Sequence, residues 1–147
     1  MRALGVNLAA VIALALALAG AAIAANQSGA RVSTAHTGLG RVIVNGSGRT
    51  LYLFEKDKRG HSACSGICAT YWPPLLASGK TVATGVKPSL LGTIKRADGK
   101  KQVTIAGHPV YLFSGDSKRG QTNGEGLTDF GASWYALSPS GKKIDRD

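Results

Sequence analysis

Arg49-Thr-Leu-Tyr-Leu-Phe-Glu-Lys-Asp57 recurs as His108-Pro-Val-Tyr-Leu-Phe-Ser-Gly-Asp116. The two stretches share Tyr-x-Phe-x-x-Asp at an offset of 59 residues, Tyr52 to Tyr111. Each is an apolar run that ends in polar residues, the pattern of a strand entering a turn. Lys58-Arg59-Gly60 then matches Lys118-Arg119-Gly120 with one residue inserted. Trp72 matches Trp134, and Ser78-Gly79-Lys80 matches Ser140-Gly141-Lys142. Anchors kept in one order imply a tandem duplication, with repeats over about 39–80 and 91–142. Neither repeat closes a core alone, so the two are expected to pack with approximate two-fold symmetry.

The sequence around these stretches reads as short strands and glycine turns. Residues 42–44 and 50–55 flank Asn45-Gly46-Ser47-Gly48 and predict a hairpin over 41–55. Residues 93–96 and 102–105 flank Asp98-Gly99. Ala106-Gly107 then turns the chain into 110–113, and 134–137 forms the last strand before Ser138-Pro139-Ser140-Gly141. One short helix is expected between Ser62 and Tyr71. The fold class is therefore mostly β: two tandem repeats packed as one small pseudo-symmetric sandwich or open barrel, with a short helix around the cysteine pair.

The 147 residues suffice for one domain, assigned to 39–141. That length and only two cysteines exclude a large multidomain enzyme and a disulfide-dense mini-protein. Residues 1–24 read as an export signal. Arg2 precedes an apolar run from 3 to 25 whose only polar side chain is Asn7, and Ala22-Ile23-Ala24 offers a cleavage site. An uncleaved membrane anchor is the competing reading of that run. Residues 25–38 are small and polar and are expected to form a flexible spacer. The alternating charges of 143–147 are expected to fray. This organisation places the mature chain outside the cell or in the periplasm.

Three features are weighed as candidates for function. Tyr52, Phe54, Asp57, Tyr111, Phe113 and Asp116 are either core aromatics with turn-capping carboxylates or a paired ligand surface with one Tyr and one Asp from each repeat. Cys64 and Cys68, in an exported chain without other cysteines, predict a disulfide. The rival reading adds His61. On a helix the three share one face, and two thiolates with an imidazole suit copper(I) or zinc. No nucleophile-base-acid set can be assembled by spacing, so the chain reads as non-enzymatic and needing no cofactor. Finally, Trp72 and Trp134 are expected to cover the core.

The segments Leu51-Tyr-Leu-Phe54, Cys64-Ser-Gly-Ile-Cys68, Trp72-Pro-Pro-Leu75, Gly107-His-Pro-Val-Tyr-Leu-Phe113, Gly120-Gln-Thr-Asn-Gly-Glu-Gly126 and Trp134-Tyr-Ala-Leu-Ser-Pro139 together resemble a bacterial secreted repeat family of unknown function. Its members are described as predicted lipoproteins with a Yx(FWY)xxD motif. The resemblance spans roughly 39–141 and implies no activity and no catalytic residues. The chain departs from the lipoprotein description, because no cysteine stands at the expected cleavage point.

The formal charge of +10 directs the functional expectation. Lys56, Lys58 and Arg59 follow the first motif, and Lys118 and Arg119 follow the second. Lys95, Arg96, Lys100 and Lys101 flank Asp98-Gly99. Such turns attract acidic cell-envelope polymers or an anionic membrane surface. Nucleic acid is disfavoured by export and by the lack of a base-stacking segment. The small-molecule ligand, if there is one, is undefined. The expectation is thus an envelope-associated binding module with a basic surface. The alternative is a redox or metal-handling protein, linked to copper, zinc or haem, using His61, Cys64 and Cys68.

Overall fold

A computed structural model describes residues 29–146. The expected export signal lies outside the described residues. The chain runs through β1 (Arg31–Thr37), β2 (Gly40–Asn45), β3 (Tyr52–Phe54), α1 (Ile67–Tyr71) and β4 (Val82–Ala83). A 3-10 turn at Pro88–Leu90 leads into β5 (Leu91–Lys95), β6 (Lys101–Ile105), β7 (His108–Pro109), β8 (Thr128–Asp129) and β9 (Ala132–Ala136). The strands form three-stranded sheets of order β2-β1-β4, β3-β9-β8 and β5-β6-β7. Among the described residues no helix is long and apolar enough to cross a membrane.

The duplication is visible in the backbone. The antiparallel hairpin β1–β2, with Thr34 opposite Ile43, corresponds to β5–β6, with Thr93 opposite Val103. Tyr52 and Tyr111 exchange both backbone hydrogen bonds, N to O at 2.9 Å and 3.0 Å. A pair of equivalent residues bonded in this reciprocal way marks the approximate two-fold axis. On one side of it β3 pairs with β9, placing Phe54 opposite Trp134. On the other side the second motif pairs with Trp72-Pro73-Pro74: Leu112 N donates to Pro73 O at 2.8 Å and Ser114 N to Tyr71 O at 2.8 Å. Two prolines cannot donate, so this partner is a run of acceptors rather than a regular strand.

Alternation along the strands separates two apolar layers. Leu51 and Leu53 join Val32, Ile43, Val103, Ile105, Val110 and Leu137 on one face of the motif strands. Tyr52 and Phe54 join Val42, Val44, Cys64, Cys68, Tyr111 and both tryptophans on the other. Both faces are covered, as expected for a small sandwich. The second layer is built on a stack of four rings: Phe54 on Trp134 at 3.9 Å, Trp134 on Trp72 at 3.9 Å, Trp72 on Phe113 at 4.3 Å. The order alternates between repeats, so each motif Phe packs on the other repeat's Trp. Each such pair adds about 0.5–1.5 kcal/mol beyond the area it buries.

Several expectations are corrected. The stretch 25–38 is not a spacer throughout, because 31–37 is β1, paired along its length with β2 and burying Val32. His36 therefore sits on a strand, with Nε2 2.8 Å from the Arg41 guanidinium. The hairpin over 41–55 survives only as the contacts around Val44 and Thr50. Beyond them the strand leaves β2 for β9, which offers the aromatic partners. Residues 110–113 are extended but bridge at Tyr111 instead of forming a full strand. The tail does not fray at 143–144: Ile144 N donates to Ala136 O at 2.9 Å, and Lys143 pairs with Glu55 at 2.7 Å.

Candidate functional site

The two motifs are interlocked. Tyr52 Oη donates to Asp116 Oδ2 at 2.6 Å, and Tyr111 Oη donates to Asp57 Oδ2 at 2.7 Å. Each tyrosine thus binds the other repeat's aspartate. The second carboxylate oxygen closes its own loop: Asp57 Oδ1 accepts from Ala63 N at 2.6 Å and Asp116 Oδ1 from Asn123 N at 2.9 Å. Both tyrosines are fully buried. Burial, with the neighbouring carboxylates, pushes both phenols well above the ordinary tyrosine range. Burial also raises the Asp57 carboxyl, while the bonds from Ala63 and Tyr111 and the charge of Arg96 pull it back.

This geometry decides between the two readings of the motif. Tyr52, Phe54, Tyr111 and Asp116 are buried, Asp57 and Phe113 half-buried, and their polar atoms serve one another. The expected ligand surface of paired Tyr and Asp is therefore an internal lock. Strand alternation turns both aromatic rings inward, and the following loop brings its carboxylate to the hydroxyl of the other repeat's tyrosine.

Cys64 and Cys68 are joined in a disulfide, with Cα atoms 5.2 Å apart. Only Cys68 lies in α1; Cys64 precedes it in the loop. The expected helical face of His61, Cys64 and Cys68 does not form, and disulfide sulfurs are not thiolate ligands. Among the described residues no group of three His, Cys, Asp or Glu side chains could hold a metal ion.

The basic turns are solvent-facing. Lys56, Lys58, Arg59, Lys118 and Arg119 are all exposed. The two arginines cross the dyad in equivalent ways. Arg59 lies against Gly107 in the turn after β6, and Arg119 lies against Gly48 in the turn after β2. Ala106 and Gly107 both have positive φ, 51° and 82°, which fits a tight two-residue hairpin. A side chain at 107 would meet the Arg59 guanidinium.

Arg96 departs from the expected exposed cluster: it is buried while Lys95, Lys100 and Lys101 are exposed. Its guanidinium donates to Gln102 Oε1 at 2.7 Å, Ser62 Oγ at 3.0 Å and Cys64 O at 2.6 Å. Ser62 in turn meets Tyr111 Oη at 2.7 Å, tying this group to the lock. A cleft of about 540 Å³ opens beside it, lined by His61, Ser62, Ser65, Lys95, Arg96 and Asp98 with the disulfide loop. Sequence reading missed Arg96 and Gln102 as buried groups. The signal was in the repeat itself, since the register places Thr37 and Val42 at their equivalents.

The family described as secreted repeat of unknown function matches residues 33–76 and 92–138, together more than half of the chain. The two matched segments coincide with the halves related by the dyad. No curated protein and no solved structure matches the chain.

Proposed function

The chain belongs to this secreted-repeat family, and from that premise we propose that it acts outside the cytoplasm by binding rather than by catalysis. Its ligand is an acidic polymer of the cell envelope, held by the basic turns. The observation that carries this reading is the division of labour between residues. The motif side chains are consumed in holding two repeats together, whereas Lys56, Lys58, Arg59, Lys118 and Arg119 project into solvent at dyad-related positions. A net charge of +10 on a small chain raises the local concentration of polyanions and speeds their encounter. An anionic membrane surface is the second reading. It is favoured by Ile67 and Tyr71, 71% and 52% exposed one turn apart on α1.

The test is retention of the mature protein on immobilised polygalacturonate, on a neutral polysaccharide of the same length, and on anionic vesicles, across a salt series. Binding that is specific to the acidic polymer and weakens steeply with salt supports the reading. Retention on vesicles alone transfers it to membranes. Equal retention on the neutral polymer overturns it.

A further inference from the structure

The two repeats share the lock and the ring stack, and one of the places where they differ, besides the disulfide and α1 of the first, lies at the end of the β5–β6 hairpin. The register that equates Thr34 with Thr93 and Ile43 with Val103 equates Thr37 with Arg96 and Val42 with Gln102. A threonine and a valine therefore satisfy the fold in the first repeat. In the second, a charged guanidinium and a fully buried amide occupy those positions. Burying a cation is costly unless an anion or a full set of acceptors meets it. The acceptors within hydrogen-bond reach of Arg96 are neutral, Gln102 Oε1, Ser62 Oγ and Cys64 O, and the carboxylate on which its charge acts, Asp57, is already held by Tyr111.

The same guanidinium borders the cleft beside the disulfide. Lys95 stands at its rim, opposite Lys101 across the β5–β6 hairpin. Like charges placed directly opposite each other weaken a sheet, so this exposed pair adds nothing to the hairpin. Asp98 contributes one carboxylate, with Oδ1 already accepting from Lys100 N at 2.9 Å. Ser62 and Ser65 add hydroxyls, and Ala69, Ala97 and the disulfide loop add an apolar wall. Two cations and one carboxylate suit a ligand of one negative charge better than a phosphate dianion. The hydroxyls and the remaining Asp98 acceptor suit neighbouring sugar hydroxyls. The volume lies within the range of small-ligand sites.

We infer that this cleft binds a single carboxylate-bearing sugar unit, Arg96 and Lys95 taking the acid and Asp98 and the serines its hydroxyls. The inference rests on the acidic-polymer reading and supplies the unit that the polymer presents. It gives the second repeat a recognition role that the first lacks.

The test is an amide NMR titration of the mature, disulfide-intact protein with galacturonic acid, with glucose and with inorganic phosphate. Galacturonic acid is expected to shift amides of 61–69 and 95–98 saturably in the millimolar range, and glucose to leave them unmoved. Lys95→Glu, on an exposed strand position, is expected to weaken that binding at least tenfold, while Lys87→Glu, exposed and outside both the cleft and the basic turns, leaves it within twofold. Arg96→Gln is expected to abolish it, and Lys95→Glu keeps the test valid if Arg96→Gln fails to fold. Equal shifts with glucose, or stronger binding of phosphate, overturn the acid-sugar assignment. No saturable shift from a protein that still binds polygalacturonate overturns the cleft and leaves the basic turns standing. Loss of both sugar and polymer binding overturns both readings.

Discussion

Removing one hydroxyl from the lock should separate its two halves energetically. In Tyr52→Phe the Asp116 carboxylate, 1% exposed, loses its 2.6 Å donor. Gly124 N, which donates to Tyr52 Oη at 3.2 Å, loses its acceptor. Hydrogen bonds to a charged group contribute about 1.5–3 kcal/mol, and a buried amide left unpaired adds a further penalty. The expected loss is about 3 kcal/mol. In Tyr111→Phe the deprived carboxylate is Asp57, which is half-buried, so water replaces the missing donor. The expected loss there is about 1–1.5 kcal/mol. Urea unfolding with the disulfide intact measures both, and Asp116→Asn alone and combined with Tyr52→Phe gives the coupling between the partners. A Tyr52→Phe cost below about 0.5 kcal/mol, or a larger cost for Tyr111→Phe, would mean that burial of Asp116 does not set the strength of the lock.

Three further outcomes follow from the same contacts. Both motif phenols are raised above their unfolded value in the fold, so their stabilisation is complete below about pH 10 and declines as pH rises beyond it. Two tyrosines together cost about 3 kcal/mol by about pH 11, and tyrosinate absorbance from them should appear only as the fold opens. Gly124→Ala brings a Cβ to within 2.8 Å of Trp72 and 2.9 Å of Tyr52, beside the ring stack, and should lower stability by about 1–3 kcal/mol in thermal unfolding. Reducing Cys64–Cys68, only four residues apart, should cost about 2 kcal/mol and leave the far-ultraviolet circular dichroism of the folded protein unchanged.

Much of this architecture is written in the repeat. The alternation of Leu51, Tyr52, Leu53 and Phe54 announces two faces, and the paired tryptophans announce a shared core. What a single stretch does not reveal is its distant partner. Residues 31–37 look like a spacer when read alone, yet they are the equivalents of the strand correctly expected near 93–96. The offset of 59 carries β5 upstream onto β1. The tail hides its order for a related reason, since Ile144 and Lys143 are held by Ala136 and Glu55, contacts that local charge alternation does not show. The motif allowed either a core or a ligand surface because alternation fixes the face, not what covers it. The crossing of Tyr52 to Asp116 and Tyr111 to Asp57 depends on the dyad, which only the packed chain defines. Arg96 reads like its exposed neighbours because its acceptors Ser62 and Cys64 lie far upstream.

The claim that the motifs hold the fold while the basic turns hold the ligand is tested most directly by one binding series on polygalacturonate at low salt. It compares the parent protein, Tyr111→Phe, and the double variant Lys58→Glu with Lys118→Glu, each confirmed as folded. Tyr111→Phe is expected to bind as the parent does, and the charge-reversed variant to be released. Loss of binding in Tyr111→Phe with retention in the charge-reversed variant would contradict it, and would return the ligand to the motif.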